Sequence, residues 1–260
     1  MPLLETIALK KSFGGLEAVQ GFDFSMAEGE IVGLIGPNGS GKTTIFNLIT
    51  GMYPASGGSI RFGGHELLGL PPHTITLLGL ARTIQNQRLF NQMSVLENVL
   101  VGRHCRTHAG LATAILGLPF GKVEKQRSID HAMELLALFG DRLLPRAHDL
   151  ANSLSYANRR RLEIARGLAT APRLLLLDEP AAGMNPTETR ELTSDILRIH
   201  ERGVAILLIE HDLKLVRGVC RRVVALDHGV TLTEGDFASV RNHPKVIEAY
   251  LGRRAAHAQA

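Results

Sequence analysis

The chain has 260 residues, enough for one large domain or two small ones with a substantial core. Its 29 basic and 25 acidic residues leave a net charge of +4, too slight to point to a nucleic-acid partner or a polybasic membrane anchor. Its two cysteines, Cys105 and Cys220, form no metal or disulfide pattern, and no run of about 18 apolar residues exists that would span a bilayer. The unpatterned cysteines make a reducing cytosol the expected setting, and the opening residues, MPLLETIALKK, lack the charged start and apolar core of a signal peptide.

In chain order, Leu3 to Leu9 alternates loosely and is expected to form an edge strand. Gly14-Gly15 marks a turn, and Val19 to Met26 alternates as a half-exposed strand should. Ile31 to Ile35 is a short apolar run that fits a buried strand, and Ile45 to Ile49 fits the start of a helix. Ser59 to Phe62 is expected as a strand closed by a Gly63-Gly64 hairpin turn. From Ser94 to Leu154 the pattern turns helical. Ser94 and Glu97 form a capping box. Ser128 to Phe139 repeats its apolar residues near period 3.6, with Gly140 as the stop. The last third alternates strand and helix: Arg173 to Asp178, Pro186 to His200, Val204 to Ile209, Asp212 to Val219 and Val223 to Leu226. That order implies right-handed parallel crossovers. The Ala-rich tail from Arg254 to Ala260 is expected to fray.

Two motifs carry chemistry. Gly36-Pro37-Asn38-Gly39-Ser40-Gly41-Lys42-Thr43-Thr44 fits G-x-x-x-x-G-K-[ST] and sits between a strand and a helix. Glycines let the backbone approach phosphates and turn its N–H groups inward. The following helix adds the positive end of its dipole. Lys42 is expected to reach the β- and γ-phosphates of ATP, and the Thr43 hydroxyl to sit on Mg²⁺. LLLLDEP, Leu174 to Pro180, is the second motif. An acid at the carboxyl end of a buried parallel strand faces the ligand crevice. Asp178 could hold Mg²⁺ directly or through water, and Glu179 could polarise an attacking water as general base.

Taken together, these and several further motifs in order resemble the ATP-binding subunits of ABC transporters, over residues 1–251. Phe13 matches the aromatic that stacks on adenine, with Val19 beside it as an apolar contact. Gln85, in ARTIQNQRLF, matches the glutamine of the loop between subdomains, expected as a metal and water ligand. Ala181 to Pro186 matches the loop that crosses the dimer seam. His211, in LLIEHD, matches the switch histidine, whose imidazole is expected to hydrogen-bond the γ-phosphate. The stretches Ala81–Val99, Arg159–Ala169, Leu174–Thr189 and Val246–Gly252 are most similar to the branched-chain amino acid uptake branch, with lipopolysaccharide-export and urea-uptake ATPases as near neighbours.

That resemblance implies an α/β fold: a P-loop NTPase, RecA-like core with a peripheral antiparallel β-subdomain and an inserted α-helical subdomain. Residues 1–88 and 159–251 would form the core, 89–158 the helical subdomain, and 252–260 a tail. It implies an ATPase on the cytoplasmic face of the inner membrane, bound to integral permease subunits and indirectly to a solute-binding protein. A second ATPase subunit is expected, in a heterodimer or a homodimer. Leu89, Phe90 and Met93 would offer apolar contact to the permease, with ordinary subdomain packing as the alternative. The chain departs from the family at its signature, LSYAN. Ser155 is kept, but Ala157 replaces glycine and Asn158 replaces glutamine. Ser155 and Ala157 would meet the nucleotide held by the opposite subunit, where the methyl of Ala157 is expected to narrow the gap and disfavour positive φ. An export-type ATPase, a non-transport ABC ATPase with weakened turnover and a regulatory ATP-binding module are the alternatives. A P-loop kinase would leave Phe13, Gln85 and the signature unexplained.

Overall fold

Three five-residue strands, apolar but for the closing Asp178, are buried at every position: β3 (Ile31–Ile35), β7 (Leu174–Asp178) and β8 (Ala205–Ile209). A strand with no polar face needs cover on both sides. The computed structural model, which describes residues 1–83, 89–107 and 119–257, provides that cover. Gln85 and most of the apolar stretch LATAILGLPF, residues 111–120, which is too short to span a bilayer, lie outside the described residues.

The three runs are neighbours in a six-stranded sheet of order β10-β9-β3-β8-β7-β6. Its other members are β6 (Leu80–Arg82), β9 (Arg222–Asp227) and β10 (Val230–Gly235). All pairs are parallel except β10 on β9. Because side chains alternate along a strand, each run splits between two cores. Val32, Leu34, Leu174, Leu176, Leu207 and Ile209 face one apolar cluster. Ile31, Ile35, Leu175, Leu177, Ile206 and Leu208 face the other. Each such buried side chain contributes roughly 1.5–3 kcal/mol.

The first cluster is closed by helix α1 (Lys42–Ile49) and a four-stranded antiparallel sheet of order β2-β1-β4-β5. Here the structure corrects the expectation for the amino terminus. Strand β1 (Leu4–Phe13) is interior, flanked by β2 (Leu16–Met26) and β4 (Gly57–Phe62), with β5 (His65–Glu66) beyond. The edges are β2 and β5, and β2 alternates between buried and exposed because one face of the sheet packs on the core and the other meets solvent. Helix α2 (Pro72–Leu77) leads into β6.

The second cluster is covered by helices. Helix α3 (Val95–Arg103) starts at the predicted box: Glu97 N–H donates to Ser94 Oγ at 3.2 Å, and Ser94 N–H donates to the Glu97 carboxylate at 2.7 Å. Helix α4 spans Pro119–Ala137, longer at its start than the periodicity indicates. Gly140, at φ 54°, opens a 3₁₀ turn beyond its end. Helix α5 (Tyr156–Leu168) packs on α3 and α4 and runs across the 158/159 division. Helices α6 (Pro186–Glu201) and α7 (Leu213–Val219) follow β7 and β8. The chain closes with α8 (Phe237–Arg241) and α9 (Pro244–His257). The first residues of the Ala-rich tail therefore continue a helix.

Candidate active site

The phosphate-binding loop leaves the carboxyl end of β3, where neighbouring strands β9 and β8 diverge in connection. Two of its glycines are required by space. A Cβ on Gly36, at φ 152°, would lie 2.1 Å from Leu226 O, and one on Gly41, at φ 101°, 2.5 Å from Ala18 O. The loop is also stitched by backbone alone. Gly229 N–H donates to Ser40 O at 3.0 Å, and Gln20 N–H to Gly229 O at 2.9 Å. Lys42 folds its ammonium into the loop, donating to Gly36 O at 2.8 Å and Pro37 O at 2.9 Å.

Beyond the loop opens a cleft of about 570 Å³. It is lined by Phe13 and residues 15–18 and 20, with His228 hydrogen-bonded to Gln20, by residues 38–44, and by Glu179 and His211. Most of the expected site therefore converges. Gly36 and Pro37 support the loop from behind through their carbonyls. Val19 is a correction: it is 1% exposed and belongs to the core under α1. On β2, residues 16, 17, 18 and 20 line the cleft, whereas residue 19 is turned into the core.

Phe13 stands at the mouth of the cleft, half-exposed, and its ring is fixed by neighbours. Tyr53 meets it edge-on at 5.4 Å, and the Lys11 ammonium lies 4.8 Å from its centroid. Such contacts hold one ring orientation.

The acidic pair splits by environment. Asp178 is fully buried, and burial pushes its carboxyl above the ordinary value against the pull of the Arg82 guanidinium. Its Oδ2 accepts from Arg82 at 2.7 Å, while its Oδ1 is buried with no hydrogen-bond partner among the described residues. Glu179 faces the cleft from a left-handed backbone, φ 48°, a strain of roughly 1–3 kcal/mol of the kind that clusters at active sites. Its Oε1 lies 3.0 Å from His211 Nε2. The partnerless oxygen of Asp178 and the cleft-lining hydroxyl of Thr43 are hard oxygen donors, the type Mg²⁺ takes, so the residues fit that ion.

Glu210, next to the histidine, is 2% exposed. Its carboxylate accepts from the N–H groups of Ala181 at 2.7 Å, His211 at 2.9 Å and Asp212 at 3.2 Å. Burial raises its carboxyl's protonation range despite those three donors.

The signature segment lies elsewhere and does not line the cleft. Ser155 caps α5, accepting from Asn158 N–H at 3.4 Å. Ala157 is helical and 2% exposed, its backbone outside the positive-φ region. The methyl therefore packs into the chain's own interior, and the expected positive-φ cost does not arise. Asn158 Oδ1 accepts from Arg161 Nη1 at 3.2 Å. The outward-facing residues are Ser155 and Tyr156, and a Cβ on Gly183 would lie 3.2 Å from the Tyr156 ring.

Residues 19–182 match the model of the family described as ABC transporter. This chain belongs to that family. Residues 230–256 also match the family described as Branched-chain amino acid ATP-binding cassette transporter. The cassette is 45% identical over 252 residues to the high-affinity branched-chain amino acid transport ATP-binding protein LivG of Salmonella typhimurium, covering 96% of this chain and 98% of that one. It is 36% identical over 250 residues to the lipopolysaccharide export system ATP-binding protein LptB of Acidithiobacillus ferridurans, covering 96% and 97%. The ADP conformation of MJ1267, an ATP-binding cassette of an ABC transporter, superposes with a TM-score of 0.84 at 29% identity, over 97% of this chain and 99% of that one. The P-loop NTPase fold and the ABC ATPase assignment follow.

Sequence reasoning passed over Arg82, Glu210, Tyr53 and His228. Only Glu210 left a signal: a lone carboxylate closing the apolar run AILLI.

Proposed function

We propose that this cassette hydrolyses Mg-ATP to power uptake of branched-chain amino acids, on the cytoplasmic face of the inner membrane. Integral permease subunits would form the path and a solute-binding protein would deliver the solute. A second ATPase subunit would complete the machine, with Ser155 and Tyr156 offered to the nucleotide on that subunit. What carries the hydrolytic reading is the Glu179–His211 pair at 3.0 Å, facing the phosphate-binding loop across one cleft.

Phe13 would stack on the base, and residues 38–44 would cradle the phosphates with their N–H groups. The Lys42 ammonium would leave its carbonyl partners for phosphate oxygens. Thr43, Asp178 and Gln85 would hold Mg²⁺, which supplies charge neutralisation on the β- and γ-phosphates. Glu179 would take the proton of the attacking water, and His211 would hold the Glu179 carboxylate in position and donate toward the γ-phosphate. Exchanging Glu179 for Gln keeps the shape and removes the base. Hydrolysis should then fall about 10²–10⁴-fold while ATP binding persists. Undiminished hydrolysis by the purified Glu179→Gln chain would remove the base assignment. The solute is tested separately, by ATP-driven leucine uptake into vesicles holding the assembled complex. Export of lipopolysaccharide in place of that uptake would favour the reading suggested by the likeness to LptB.

A further inference from the structure

We infer that Arg82 is a positioning residue for the metal ion: it fixes the Asp178 carboxylate to helix α1, so that one carboxylate oxygen alone is presented to Mg²⁺. The inference rests on the reading of Asp178 as a metal group. Arg82 reaches two elements at once. Its Nη2 donates to Asp178 Oδ2 at 2.7 Å, on β7. Its Nη1 donates to Asn47 Oδ1 at 2.6 Å and Thr50 Oγ1 at 3.3 Å, both on or closing α1. The guanidinium also lies 5.5 Å from the Phe46 ring centroid. The ion pair is shielded, its side chains 11% and 0% exposed, so water does little to loosen it.

The geometry leaves the carboxylate little freedom. Oδ2 is taken by Arg82, and the Asp178 N–H is directed at Thr83 Oγ1, 3.4 Å away. Oδ1 is buried and has no hydrogen-bond partner among the described residues. Helix α1 begins at Lys42 and Thr43. Arg82 thus braces the helix that carries the hydroxyl donor against the strand that carries the carboxylate donor. A planar fork with separate arms can hold both at fixed angles, which a single ammonium cannot. Partners of metal-binding carboxylates typically set metal affinity by about 10–100-fold.

The test is Mg²⁺-dependent binding of a fluorescent ATP analogue to the full chain, with affinity in EDTA as the reference. Mn²⁺ bound beside ATP, read by electron paramagnetic resonance, reports the metal directly. Arg82→Ala should raise the half-saturating Mg²⁺ concentration by about 10–100-fold and broaden the Mn²⁺ spectrum, while affinity in EDTA stays at the wild-type value. Arg82→Lys should fall between the two, and Asn47→Ala should shift in the same direction as Arg82→Ala. These last two carry the test if Arg82→Ala unfolds. An unchanged Mg²⁺ requirement in all three variants overturns the inference. So does an equal loss of affinity with and without Mg²⁺, which would mark Arg82 as a general brace of the fold. Asp178→Ala separates the two readings. If it leaves the Mg²⁺ requirement unchanged, the assignment of Asp178 fails. If it abolishes the Mg²⁺ effect and Arg82→Ala does not alter it, only the role of Arg82 fails.

Discussion

Phe13 shows how much of an aromatic side chain's setting is made by its neighbours. Its ring is set by Tyr53 and Lys11, residues separated from each other by a whole helix and a phosphate-binding loop. Base stacking on an aromatic side chain contributes about 1–3 kcal/mol, so Phe13→Ala should weaken ATP binding by that amount. Inorganic tripolyphosphate has no base and should bind the variant as it binds wild type. A parallel loss for both ligands would show that Phe13 shapes the loop and does not hold the base. Phe13 was legible in the sequence by its place before the phosphate motif, and Glu179 by its place after a run of leucines. Val19 was misassigned because a motif fixes a position and not the phase of the strand beneath it. Arg82 was silent because its partners Asp178, Asn47 and Thr50 are far off in the chain, and no local spacing announces a pairing of that range.

At the scale of elements, α5 and α6 are joined by a buried ionic network. Arg161, 1% exposed, donates through Nε to Asp195 at 2.8 Å and through Nη2 to Glu191 at 3.1 Å. Asp195 also pairs with Arg198, and Glu191 with Arg142 of the turn after α4. Removing Arg161 empties a buried site and takes one of two partners from each carboxylate, leaving Asp195 with Arg198 and Glu191 with Arg142. Arg161→Ala should therefore cost about 1–3 kcal/mol, read as a drop in the urea midpoint at unchanged slope. A loss below about 1 kcal/mol would mean that the network is mostly solvated. The elements themselves were largely legible. Unbroken apolar runs marked β3, β7 and β8, and the Ser94–Glu97 box marked the start of α3. Edge and interior were not, since β1 acquires its second neighbour from β4, beyond the phosphate loop and its helix. The closing segments β10, α8 and α9 carry mixed burial and no clean period, so nothing local set them apart.

Across the whole molecule, exposed apolar side chains gather beside the segment from 84 to 88. Phe90 is 46% exposed and Met93 39%, whereas Leu89 is packed into the helical core. The Phe90 backbone is anchored on both sides by the buried Asn98, which accepts from its N–H at 2.9 Å and donates to its carbonyl at 3.1 Å. A rigid backbone offering a loose aromatic suits an anchor for a partner pocket. Phe90→Ala should weaken docking to permease subunits by about 2 kcal/mol and uncouple hydrolysis from uptake, with ATP affinity unchanged. Lost nucleotide binding would refute that role. The class of fold was legible from the order of its motifs. The geometry between distant parts was not, because it is set by packing across two cores.

Glu210 has one consequence at that largest scale. Its single carboxylate carries the amides of Ala181, at the head of the loop expected to reach a second subunit, and of His211, beside the proposed base Glu179. The loop from Ala181 to Pro186 and the histidine thus share one buried anchor, and Glu210→Ala would release both amides together.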